Sequence, residues 1–211
     1  MTASPHPPDD RPLSPAESLA LIDAQGRDAQ RRLRPNPLGL YLPWGLAYLV
    51  AFGAVWLTVG PGVLPAALTA VLVALSAVGA VATVATTVTR SHRGVAGPTR
   101  ATSTRFVWAW FVAFLVLGVS NGALAGTGLS VATVSLIWSG SALLVVGLLL
   151  LAGGMLWPGS GQYALGVWIL VSSALSVLVG YPANFLVLAL AGGGGLVVMA
   201  VVARVRSRSR G

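Results

Sequence analysis

Residues 106–152 read FVWAWFVAFLVLGVSNGALAGTGLSVATVSLIWSGSALLVVGLLLLA, a stretch without one Asp, Glu, Lys, Arg or His. Gly126-Thr127-Gly128 divides it into two apolar runs, 106–125 and 129–152. Each is about the 20 residues that a helix needs to cross the hydrocarbon of a bilayer. The charge-free stretch continues to Ala203, and a second one covers 35–89. A water-soluble core of this size needs charged surface along its whole length. Here 55% of residues are hydrophobic and 9% are charged, against about 25% charged in soluble domains. The pattern is that of an all-α, multi-spanning membrane protein.

Working outward, four further windows of spanning length appear, giving six in all: 38–59, 63–88, 106–125, 129–152, 161–179 and 182–203. Helix-terminating clusters separate them, namely Gly60-Pro61-Gly62, Gly126-Thr127-Gly128, Trp157-Pro158-Gly159 and Gly180-Tyr181-Pro182. Residues 90–105 form the one longer polar connection. All thirteen basic residues are arginines, and Arg27, Arg31, Arg32, Arg34, Arg90, Arg93, Arg100, Arg105, Arg204, Arg206, Arg208 and Arg210 fall before the first span, between the second and third, or after the sixth. Basic residues resist translocation, so an even number of spans places both termini and this loop in the cytoplasm. Tyr41, Trp44, Trp108, Trp110 and Trp157 then fall near the inner interface and Trp56 and Tyr181 near the outer one. The expected location is a bacterial plasma membrane, and arginine without lysine suits a GC-rich genome.

The five acids (Asp9, Asp10, Glu17, Asp23, Asp28) lie in the first 28 positions. Residues 1–13 have the composition of a disordered cytoplasmic tail and lack the pattern of a cleaved signal. Ser14-Pro15-Ala16-Glu17 then provides an N-cap serine, a proline at the first helical position and a glutamate three residues after the cap. A cytoplasmic amphipathic helix over 14–34 follows, with Leu19, Ile22 and Leu33 on its apolar stripe and acids leading arginines along the dipole. Two uses are open to it: lying on the inner leaflet, or docking a cytoplasmic protein such as an ATPase subunit or a regulator. Arg31, Arg32 and Arg34, and Arg204, Arg206, Arg208 and Arg210 in the basic tail 204–211, are placed to contact anionic lipid. No nucleic-acid partner is implied.

Ionisable groups within spans mark proton relays, ion paths and catalysis, and these spans contain no acidic, basic or histidine side chain. Ser139 and Ser141 have no base beside them, metal ligands are missing, and neither a catalytic residue nor a cofactor is expected. What remains is small-residue and hydroxyl chemistry, which in membranes brings helices together. Ala66, Thr69, Ala70, Ser76, Ala77, Ala80, Thr83 and Thr87 form a packing seam on the second span. Ser135, Ser139, Ser172 and Ser176 can bond to carbonyls of their own helix or across to neighbours. Gly192-Gly193-Gly194-Gly195 stands at the middle of the sixth span, where each glycine costs a helix up to about 1 kcal/mol relative to alanine. Either it packs very closely on a bulky neighbour, Trp138 or Trp168, or the helix is locally unwound and its carbonyls face a midplane substrate. Asn121 and Asn184 fall near the outer face, lining an entrance or bonding to each other, and Gln162 falls at the inner end.

Ser14–Ile22 (SPAESLALI), Pro43-Trp44-Gly45 and the run from Tyr181 through Gly195 (YPANFLVLALAGGGG) resemble a family of uncharacterised bacterial six-span integral membrane proteins, loosely labelled transporters. The resemblance implies no substrate residue. Two functions fit the pattern. One is a permease-like or transporter-associated subunit for a neutral or hydrophobic solute, with energy supplied by another chain. The other is a non-transporting scaffold or regulatory anchor that docks a cytoplasmic partner. Either is compatible with a homo-oligomer.

Overall fold

The computed structural model describes residues 14–21, 24–25, 37–91, 98–157 and 161–208. The chain divides at Arg34 into two compact units. The tail 1–13, Ile22, Leu33, Arg31, Arg32, Arg34 and Arg210 lie outside the described residues.

In the first unit, α1 (residues 15–21) begins as its sequence requires. The Ser14 amide donates to Glu17 Oε2 at 2.8 Å and the Glu17 amide donates to Ser14 Oγ at 3.2 Å. Two amides that the helix cannot satisfy are thus held reciprocally. The bond from the Ser14 amide, then that of the Ser14 hydroxyl, holds the Glu17 carboxyl below its usual 4.5. A depressed folded-state value means that the cap is fully present above the usual value and is lost as pH falls through the lower one. Hydrogen exchange of the Ser14 amide should therefore stay slow at pH 5 and 6 and lose its protection in acid below about 4.5. Glu17→Gln should remove that pH dependence.

The second unit has helices and no strand among its described residues, with α2 (Pro37–Val59), α3 (Ala66–Ser91), α4 (Pro98–Ala125), α5 (Val131–Leu156), α6 (Gln162–Val179), α7 (Asn184–Val187), a π-helical turn (Leu188–Gly193) and α8 (Gly194–Arg208). Six helical stretches are long and apolar enough to cross a membrane: Leu38–Val59, Ala66–Thr86, Ala101–Ala125, Val131–Leu156, Gln162–Val179 and Asn184–Arg206. This is a multi-pass membrane protein.

Two boundaries correct the sequence reading. The stretch 90–105 is not all loop, because α4 starts at Pro98. Proline suits a first helical position, and polar residues can extend a helix beyond the hydrocarbon, where hydropathy gives no signal. The sixth span is also not one α-helix, being divided by the π turn.

The helices form an open row in the order α3, α2, the α7–α8 span, α6, α5, α4. Tyr41, Leu143, Leu150, Leu165, Ile169, Leu188, Leu196 and Ala200 make the core in its centre. The flanking α3 and α4 are mostly exposed, as lipid solvent permits. Among the seam residues whose side chains are described, Thr69 and Ala80 of α3 are buried, and the Thr69 hydroxyl meets that of Thr58 on α2.

The tightest pairing is between α5 and α6, and its register is written in glycine. A methyl at Gly140 would meet Val177 at 2.7 Å, one at Gly147 would meet Leu170 at 2.7 Å, and one at Gly154 would meet the Tyr163 backbone nitrogen at 2.5 Å. Seven residues forward on α5 match seven back on α6, the repeat of antiparallel helices packed at a shallow crossing. Gly166 returns the contact, with its own missing Cβ 2.7 Å from the Leu151 amide nitrogen.

Candidate functional site

The α5–α6 pair and the sixth span enclose a set of neutral polar side chains: Ser139, Ser172, Ser173, Ser176 and Asn184 are all buried. Each serine hydroxyl donates to a carbonyl. Ser172 and Ser176 bond within α6, to Trp168 and Ser173, and Ser139 bonds to Leu136 of its own helix. Ser173 reaches across to Gly140 of α5 at 2.7 Å. Such interhelical bonds contribute about 1 kcal/mol or less in a membrane.

Asn121 and Asn184 do not bond to each other. Both instead choose a serine on α5: Asn121 Nδ2 donates to Ser141 Oγ at 2.8 Å and Asn184 Nδ2 donates to Ser139 Oγ at 3.2 Å. Adjacent spans supply nearer partners than α4 and α7 can offer one another. Asn184 is fully buried, and its Oδ1 has no partner. A buried unsatisfied acceptor costs about 1–3 kcal/mol. Gln162, the first residue of α6, hydrogen bonds with the Tyr41 side chain.

The glycine run is neither unwound nor regular α-helix. Gly192 and Gly193 close the π turn, and Gly194 and Gly195 begin α8. Gly193 lies on α2, where a methyl would stand 2.9 Å from the Gly45 carbonyl oxygen and 2.9 Å from the Leu49 amide nitrogen. Gly192 faces Tyr48, and Gly195 faces the indole of Trp168, 2.5 Å from the position of its missing Cβ. Trp168, rather than Trp138, is thus the tryptophan that meets the run, and its Nε1 donates to the Ala191 carbonyl at 2.8 Å.

The wide turn has a geometric reason. Asn184, Leu188, Gly192, Leu196 and Ala200 are all buried although spaced by four. Sixteen residues of unbroken α-helix turn through about 1600°, leaving Asn184 about 160° from Ala200. Six residues wound at about 4.4 per turn recover roughly 110° of that. The π turn is therefore what brings Asn184 into the core.

Several participants were missed in the sequence. Gly45 stood out only as part of Pro43-Trp44-Gly45, and Tyr48 and Leu49 carry no signal that distinguishes them from other span residues. Ser173 was legible only as one more hydroxyl. The spacing of seven between Gly140, Gly147 and Gly154 was a readable signal for the α5–α6 contact.

Among the residues expected to contact lipid, Arg204 and Arg206 are exposed on α8, and Arg208 is its last residue. Leu19 of the predicted docking stripe is exposed on α1. No group of three or more potential metal ligands occurs among the described residues. No family model, curated protein or solved structure matches the chain.

Proposed function

We propose that the protein is a permease-like or transporter-associated subunit of a bacterial plasma membrane, handling a neutral solute, with its arginine-bearing end in the cytoplasm. The observation that carries this reading is Asn184, a carboxamide held in the core of the spans with an acceptor unused. A purely structural role accounts for the bond from Asn184 Nδ2 to Ser139 but not for the unused acceptor. A path for an uncharged solute needs hydrogen-bonding groups without fixed charge, and the serine–asparagine set supplies them. Energy coupling would come from another chain, since no carboxylate lies within the spans.

The scaffold reading draws support from the exposure of Leu19 and Leu21 on α1, apolar side chains on a helix in a unit of its own. Reconstitution separates the two. In liposomes holding the intact chain, osmotic challenge with small polyols and amides should give solute uptake faster than in protein-free vesicles, and Asn184→Leu should slow it. Uptake at the protein-free rate for every solute, with a soluble partner whose retention depends on Leu19, would establish the scaffold instead.

A further inference from the structure

We infer that the charge-free end of the sixth span is a two-position element, in which the π turn Leu188–Gly193 converts to α-helix and turns Asn184–Val187 about the helix axis, with Trp168 as the latch. The inference stands whether the protein transports or anchors.

In the position described here, two unfavourable features coexist: a π turn, a rare winding that interrupts the regular i to i−4 ladder, and a buried Asn184 Oδ1 without a partner. One motion relieves both. Conversion to α-helix moves every residue on the Asn184 side of the turn by one place, about 100° around the axis, and takes Asn184 away from Ser139. Three contacts oppose it. Trp168 Nε1 holds the Ala191 carbonyl from outside the helix, Asn184 Nδ2 holds Ser139, and Gly193 is seated on the backbone of α2. The opposing contacts are few and comparable in kind to the features they oppose, which is the condition for two populated arrangements rather than one. The fixed point of the motion is α8. Its Gly195 fits beneath the Trp168 ring and its Leu196 and Ala200 remain in the core.

The absence of cysteine makes the test direct. The full chain carrying Val187→Cys and Val131→Cys, spin-labelled and placed in lipid nanodiscs, reports the separation of the sixth span from the start of α5 by pulsed electron paramagnetic resonance. Trp168→Phe keeps a ring against Gly195 and removes the donor, and should raise the population of a second distance about fivefold, the size expected for one hydrogen bond. Deletion of Leu190 removes the extra residue of the π turn, leaving a plain α-helix with Asn184 still facing α5. It should give a single distance that Trp168→Phe no longer alters. An unchanged distribution in Trp168→Phe, or the same response to Trp168→Phe after deletion of Leu190, would overturn the inference.

Discussion

Gly154→Ala and Gly166→Ala should each destabilise the helical unit by about 2–3 kcal/mol, the upper part of the usual range for overpacking. The reason lies in what the new methyl meets. At Gly154 it would stand 2.5 Å from the Tyr163 amide nitrogen and 2.7 Å from the Tyr163 Cα, and at Gly166 it would stand 2.7 Å from the Leu151 amide nitrogen. These are backbone atoms, so no rotamer change can relieve the clash; one helix must move. Moving it also separates Ser173 from Gly140 and disturbs the core around Leu143, Leu150, Leu165 and Ile169. In lipid there is no hydrophobic drive to pull the pair together again, because the chains around it are as apolar as the interface. Gly79→Ala is the control, since nothing lies within 4 Å of the Cβ it would add, and alanine is the better helix former. Unfolding of the purified variants, followed by tryptophan fluorescence in mild detergent with increasing dodecyl sulfate, measures the difference. Equal midpoints for Gly154→Ala and Gly79→Ala would mean that α5 and α6 do not pack as closely as described.

What could be read in the sequence divides along a physical line. The six spans were legible because a bilayer tests only length and apolarity, and both are properties of composition. Their ends were less so. Pro98–Arg105 is helical but its arginines, threonines and serine read as a polar loop, and hydrogen bonding along the chain does not stop where hydrocarbon does. The helix order was not legible, because lipid-facing and protein-facing residues are equally apolar and the hydrophobic contrast that orients a soluble helix is missing. Small residues carry the remaining information. The glycines of α5 encode their partner helix by period, but the run 192–195 left two readings open, since a glycine looks the same whether its space is filled by an indole, a backbone or nothing. Asn184 begins the last span, and its burial depends on a change in winding at Leu188–Gly193 that a 3.6-residue period does not contain.

The same run gives the sharpest contrast between neighbouring residues. Gly193→Ala should cost about 2 kcal/mol, whereas Gly194→Ala should be neutral or stabilising by up to about 1 kcal/mol, the difference in helix propensity. Nothing lies within 4 Å of the methyl that Gly194 would gain. The methyl at Gly193 would meet the Gly45 carbonyl oxygen and the Leu49 amide nitrogen, both 2.9 Å away and both part of α2. Relief requires α2 and the π turn to part, and α2 has its own reason to resist: a methyl at Gly45 would in turn meet Val197 and Gly193, so the two glycines share one close approach. Gly45→Ala should therefore resemble Gly193→Ala, and the double variant should cost less than the sum of the two, because the first methyl already forces the separation that the second needs. If the glycines served only to loosen the helix, Gly193→Ala and Gly194→Ala would both stabilise the protein, and a double-variant cycle with Gly45→Ala would be additive. Sodium dodecyl sulfate midpoints of the four proteins distinguish the cases, since the packing account alone requires a loss at Gly193 with none at Gly194.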